Sequence, residues 1–339
     1  MIRLLRRKRL FLAFVVIILL PAAFLVWFLF LPPSGTSETK VIFIKKGTPL
    51  RKIAEVLEQE RIIKNRNFFV YLTQALGKRS EIKAGEYELH TGMVPLEVIE
   101  VLVKGQVKQH LVTIPEGYTV RQIAQLLEDL QIVEKDAFLQ KATSATLIVS
   151  LGIPLSAKPS LEGYLFPNTY HLYREMDPEE VIRIMVNQYR KTFNSDLSAK
   201  AAQFGISERE AVILASIIEK ETSLPEEKPL ISAVFHNRLQ RKIPLQSDPT
   251  VIYGIASFNG NLTKQHLISP TPYNTYVISG LPPTPICNPG KESLLAAVSP
   301  APVPFLYFVS KNDGSHHFSS DIEGHNRAVA IYQKTPKKR

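Results

Sequence analysis

An α+β protein carried on a membrane-spanning helix is predicted by three features: an uncharged apolar run near the N-terminus, a strand-turn-helix pattern that occurs twice, and a helix near residue 215 that is apolar on every side. The run from Leu10 to Leu31 holds 22 residues, enough at about 1.5 Å per residue to cross a hydrocarbon core of roughly 30 Å. Arg3, Arg6, Arg7, Lys8 and Arg9 precede it, and no charge follows until Glu38. The positive-inside rule then makes residues 1–9 a cytoplasmic basic tail, residues 10–31 a single span of the cytoplasmic membrane, and the body extracytoplasmic. A cleaved signal peptide is the alternative, but the run exceeds the roughly 7 to 15 residues of its apolar region and lacks a small-x-small site. Pro21 in mid-span is tolerable in a membrane helix.

The formal charge of +10 sits mainly at the ends. Five basic residues precede the span and Lys334, Lys337, Lys338 and Arg339 form a tail over 334–339, which leaves residues 10–333 at +1. A phosphate-binding surface needs its basic residues clustered on a folded face, so nucleic acid is not expected as a partner. The N-terminal charges suit topology and anionic lipid instead. Cys287, the single cysteine, can make no internal disulfide. No Cys/His cluster has metal-ligand spacing, so neither metal nor cofactor is expected.

Residues 32–40 carry linker chemistry, and order is expected to begin at the alternating Val41-Ile42-Phe43-Ile44. The pattern Ile44-x-x-Gly47-x-x-x-Arg51-x-Ile53-Ala54-x-x-Leu57-Glu58-x-x-x-Ile62 recurs 70 residues later from Ile114 through Gly117, Arg121, Ile123, Ala124, Leu127 and Glu128 to Ile132. Each copy reads as a strand, a glycine turn and a helix with one apolar face. Between them lie a helix over 67–76, an extended piece over 82–89 and a helix over 95–103. The order β-α-α-β over 41–110 resembles LysM modules, and the resemblance implies a shallow groove for N-acetylglucosamine-containing glycans. A scaffold without ligand is the other reading, because stacking aromatics are few there (Phe68, Phe69, Tyr71, Tyr87).

Residues 111–333 are expected to form a second, mixed α/β domain with long loops. Its stretch 135–205 is mostly helical except for the aromatic segment Leu161 to Tyr170, which contains Tyr164. Ser207 and Glu210 form a capping box, and Ala211 to Ile218 behind them is wholly apolar, so this helix passes through a core. It ends in Glu219-Lys220-Glu221-Thr222. A carboxylate there meets desolvation and the negative end of the helix dipole, both of which favour its protonated form and suit a general acid. Alternatively both glutamates are helix-end charges paired with Lys220 or Lys228. Periodicity does not choose between Glu219 and Glu221. A second amphipathic helix is expected over 228–242, followed by loops dense in groups that stack on pyranose rings or read hydroxyls: Gln246, Asp248, Thr250 and Tyr253, then Tyr273, Asn274 and Tyr276, and finally His316.

Ala215-Ser216-Ile217-Ile218-Glu219-Lys220-Glu221-Thr222, Asn237-Arg238-Leu239, the run from Leu245 to Gly254, Tyr273-Asn274-Thr275-Tyr276 and Gly280-Leu281-Pro282-Pro283 together resemble the YceG-like family of endolytic murein lytic transglycosylases. The resemblance runs from the anchor to His325-Asn326. It implies a bacterial inner-membrane enzyme that cleaves the N-acetylmuramic acid to N-acetylglucosamine bond of peptidoglycan glycan strands, leaving 1,6-anhydro ends, with synthases as potential partners. It also implies that Glu219 is the catalytic residue, acting as acid and then as base. Asn168 and His236 depart from the family pattern, the first where aspartate is usual. Two other readings stay open: a muramidase, which needs a second carboxylate about 5 to 9.5 Å away, with Asp248 and Glu221 as candidates, and a non-catalytic glycan-binding tether.

Overall fold

The computed structural model describes residues 37–333 continuously, together with residues 14–16, 19–20, 23–24, 27 and 31–33. Among the described residues no helix is long and apolar enough to cross a membrane. The span expected over 10–31 falls largely outside the described residues, as do the tails 1–9 and 334–339. The chain is a mixed α/β fold, with three two-stranded sheets among the described residues, divided into two compact units.

The first unit comprises residues 1–110 and 171–176. Its strand β1 (Thr39–Ile44) pairs antiparallel with β2 (Gly85–His90), placing Ile42 opposite Tyr87. Helices α1 (Leu50–Gln59), α2 (Arg66–Ala75) and α3 (Pro95–Lys104) complete it. The Asn65 side chain caps α2 by accepting from the Phe68 N–H, and Gly105 stops α3 in the left-handed region. Ile53, Leu57, Ile62, Phe69, Tyr87, Leu89 and Leu102 fill the core.

The second unit comprises residues 111–170 and 177–339. The chain enters it in β3 (His110–Thr113) and continues through α4 (Val120–Asp129), α5 (Lys135–Ala142) and α6 (Ala145–Ser150) to β4 (Thr169–Leu172), which pairs with β3. Next come α7 (Pro178–Thr192), α8 (Ser195–Gln203), the core helix α9 (Glu208–Glu221) and α10 (Lys228–Gln240). Short helices α11 (Asp248–Tyr253), α12 (Lys264–Ile268) and α13 (Lys291–Ala297) interrupt the long loops. An antiparallel hairpin of β5 (Tyr307–Ser310) and β6 (His316–Ser319) precedes α14 (Ile322–Tyr332).

The capping box of α9 is present, and all eight residues from Ala211 to Ile218 are buried, as the pattern required. Two expectations change. Residues 248–253 form a helical turn and not a loop, because Pro249 sits at the start of a helix, where its missing N–H costs nothing. Helix α10 is not simply amphipathic: Ile231 to Phe235 are buried without interruption, with Lys228 and Arg238 buried at its two ends.

The repeated pattern is the same structure twice. Gly47 and Gly117 turn with φ of +82° and +74°, and Arg61 and Gln131 both adopt φ +59° after their helices. Leu57 and Leu127 are fully buried, and Glu58 and Glu128 each accept the first N–H of the following helix, from Arg66 and Lys135. Leu57→Ala and Leu127→Ala are therefore expected to cost about 2–5 kcal/mol each, measured as loss of unfolding free energy in denaturant; a loss below about 1 kcal/mol at either position would show that its core is not closed.

Candidate active site

Glu219 lies in the last turn of α9, with only 7% of its side chain exposed. Its carboxylate meets the Lys228 ammonium, which stands 3.3 Å from both oxygens. Oε2 also accepts the Gly290 N–H at 2.9 Å and the Ser293 hydroxyl at 2.6 Å. Among the described residues Oε1 has Lys228 alone, so it is the oxygen with capacity left for another partner. The pairing of a helix-end glutamate with Lys228 is thus real, but it is a buried pair at a junction of three helices and not a solvated one: the Lys228 side chain is 4% exposed.

The backbone around this pair is locked by Asn288, which is fully buried. Its Oδ1 accepts from the N–H groups of Gly163 and Leu165, both at 2.9 Å, and its Nδ2 donates to the Tyr118 carbonyl and to Glu162. Its own N–H donates to the Tyr118 carbonyl, while its carbonyl accepts the Gly117 N–H. One side chain therefore joins the glycine turn of the second repeat copy, the Leu161 to Tyr170 segment and the loop that delivers Gly290. Glu116, on the same turn, lies 4.0 Å from the Lys228 ammonium, and its carboxyl occupies the space where a side chain on Gly290 would begin.

Glu221 lies two residues past Glu219, about 200° around the helix, and so faces other neighbours. It accepts from the Ser247 hydroxyl, and burial, aided by the charge of Asp248, pushes its carboxyl up to about 7 against the lowering effect of that hydrogen bond. Asp248 is exposed and accepts from the Tyr276 hydroxyl at 2.6 Å. Gln246 is exposed too, with φ +54°, and its Oε1 accepts from Arg238. Tyr253 and Tyr273 meet edge to face at 5.0 Å, their hydroxyls bonded to Glu162 and Thr284. These five side chains lie at least partly exposed on the loops 246–253 and 273–276.

Three of the expected sugar contacts, Thr250, Asn274 and Tyr164, are corrected by their burial, whereas His316 is tied to the protein while staying partly exposed. Thr250 is fully buried, bonded to the Ser247 carbonyl and the Thr275 hydroxyl. Asn274 is fully buried, and its amide donates to three carbonyls, of His266, Leu267 and Ser269. Tyr164 packs inside against Tyr189. The His316 ring and N–H are both held by Glu227 at 2.7 Å. The Thr250 hydroxyl and the Asn274 amide are spent on bracing the loops, because turns rich in proline leave many carbonyls for side chains to satisfy.

Glu116, Gly290, Ser293, Asn288 and Glu162 escaped the sequence reading. The only signal was indirect: Asn288-Pro289-Gly290 marks a turn, and Glu116 precedes the glycine of the repeat. A separate cavity of about 560 Å³, lined by Arg209, Leu239 and Leu281 among others, opens beside the first turn of α9 and shares no residue with this pocket.

The YceG-like family model matches residues 42–331. The chain belongs to the YceG-like family. A Bacillus subtilis (strain 168) protein named endolytic murein transglycosylase is 32% identical over 319 residues, covering 89% of this chain and 87% of that protein. A Streptococcus pneumoniae protein (serotype 2, strain D39) of the same name is 29% identical over 88% of this chain; the alignment covers 60% of that relative's length. The crystal structure of a yceG-like protein from Listeria monocytogenes superposes with a TM-score of 0.59 at 30% identity, over 86% of this chain and 100% of that one. This YceG-like chain therefore shares both sequence and fold with the family over almost all of its described length.

Burial pushes the Glu162 carboxyl up to about 8, against the lowering effect of its bonds from the Val120 N–H and Tyr253. Its ordinary value is 4.5, so between these pH values the folded state binds more protons than the unfolded state, and stability falls as pH rises through this window. Glu162→Gln, neutral throughout, is expected to flatten that dependence; melting temperatures between pH 5 and 8 check it, and an unchanged slope would place the titration elsewhere.

Proposed function

We propose that this protein is a membrane-anchored endolytic lytic transglycosylase that cuts nascent peptidoglycan glycan strands at the N-acetylmuramic acid to N-acetylglucosamine bond, with Glu219 as its catalytic residue. The reading rests on one observation above the rest. A family member named for this activity aligns over most of its own length, and the motif glutamate Glu219 ends a core helix in a pocket of matched donors.

In the proposed chemistry Glu219 Oε1 carries a proton to the leaving glycosidic oxygen as the bond at C1 of the muramoyl residue breaks. The carboxylate then takes the proton of that residue's C6 hydroxyl as O6 closes on C1, giving a 1,6-anhydro end without water. Gly290, Ser293 and Lys228 fix the carboxylate while the proton comes and goes. A muramidase would need a second carboxylate across the sugar. Glu221 faces away and Asp248 is engaged by Tyr276, which favours the lyase.

The same reading gives the rest of the chain its place. Residues 10–31 anchor it in the bacterial inner membrane, residues 41–110 act as a LysM-like module, and residues 111–333 are the catalytic domain. The short linker 32–40 keeps Glu219 near the bilayer, where membrane-bound synthases release new strands. Purified Glu219→Gln is expected to fold and to bind glycan strands but to lower the release of anhydro ends at least 1,000-fold, read by mass spectrometry of the digest. Reducing ends from the unmodified protein would make it a hydrolase, and glycan binding without release would make it a tether.

A further inference from the structure

We propose that Glu116 is a positioning residue of the cleavage reaction, whose carboxylate holds the Lys228 ammonium whenever Glu219 carries a proton. The inference rests on the assignment of Glu219 made above.

Lys228 is 4% exposed and touches two carboxylates, Glu219 at 3.3 Å and Glu116 at 4.0 Å. A buried ammonium needs a negative partner at every stage of a reaction, because an uncompensated charge in that position is costly. Acid-base catalysis removes the charge of Glu219 once in each cycle. In the donation step the proton leaves Glu219 for the leaving oxygen, which takes the electron pair of the broken bond. In the closing step the C6 hydroxyl returns a proton as its oxygen bonds to C1. While Glu219 is neutral, Glu116 is the other carboxylate in reach of the ammonium.

Three features mark Glu116 as placed for this. Its side chain is about half exposed, so it can move toward Lys228 without disturbing the core. Gly290 leaves room for its carboxyl: a methyl group there would overlap it. The equivalent turn of the first repeat copy carries Lys46, and nothing lies within 4 Å of the position a side chain on Gly47 would take, whereas the same position at Gly117 meets Glu219 and Lys220. Burial and the charge of Glu219 push the Glu116 carboxyl up, Lys228 pulls it down, and Glu292 adds to the rise. The charged groups around the pocket are Glu219 and Lys220 on α9, Lys228 on α10, Glu292 on α13 and Glu116 itself, with Glu227 beside Lys228 tied to His316.

Removing the charge of Glu116 leaves the buried Lys228 ammonium without a carboxylate partner in the step that needs a neutral Glu219, so that step is disfavoured. The test is the pH profile of anhydro-end release by the full-length protein in detergent, comparing the unmodified chain with Glu116→Gln, Glu116→Asp and Glu219→Gln. For Glu116→Gln the alkaline limb is expected to move down by roughly half to one pH unit, so that activity near pH 5 is largely kept and activity near pH 8 falls about tenfold. Glu116→Asp is expected to restore most of the shift. Melting curves check that each variant folds. A Glu116→Gln profile that is unchanged, scaled equally at every pH or abolished throughout overturns the inference, as does a Glu116→Asp profile matching that of Glu116→Gln. If Glu219→Gln stays active, it is the assignment of Glu219 that fails.

Discussion

The Lys228 to Glu219 pair is the constraint around which the second unit is arranged. Burying two charges costs several kcal/mol per ion after relaxation, and attraction recovers this only where further hydrogen bonds complete each group. Gly290 and Ser293 supply those bonds to Glu219. The pair therefore fixes the end of α9 against the starts of α10 and α13. The connection between α9 and α10 is itself pinned: Glu227 accepts from Thr222 and from His316, so the residue next to Lys228 cannot drift. A pair that is poor as a source of stability is good as a source of position.

The internal repeat explains how a site came to have a third wall. Both copies share a strand, a left-handed glycine, a helix and a second left-handed residue after it. In the first unit the glycine turn faces open space. In the second, Asn288 draws the turn against the loop before α13 through paired backbone hydrogen bonds, and Glu116 comes with it. The same local sequence physics thus yields a free turn in one setting and a pocket wall in the other. The difference is made by a partner 170 residues away.

Legibility in the sequence followed the range of the interactions. Helix α9, its capping box and its buried face could be read because each depends on residues within four positions of one another. The repeat could be read for the same reason. The burial of Thr250 and Asn274 could not, since a hydroxyl or amide that braces a loop has the same letter as one that meets a sugar. Glu116 and Ser293 were hidden because they join Glu219 only through the fold, across 103 and 74 positions. Helix α10 read as amphipathic because Lys228 and Arg238 look like a solvated face. In fact both charges turn inward, to Glu219 and to the carbonyls of Pro244, Leu245 and Leu306.

Glu221 shows that a raised carboxyl can belong to a residue that braces loops. Its burial raises it as a helix-end acid was expected to be raised, yet its hydrogen bond runs to Ser247, at the head of the turn that carries Asp248. Asp248 in turn holds Tyr276, and Thr275 holds both Ser247 and Thr250. Glu221 thus ties the loops 245–254 and 271–276 to the same helical turn that presents Glu219 on its opposite side. Two glutamates two residues apart thus differ in setting: Glu219 is held among donors from α10 and α13, and Glu221 fastens the loop at Ser247 to the helix.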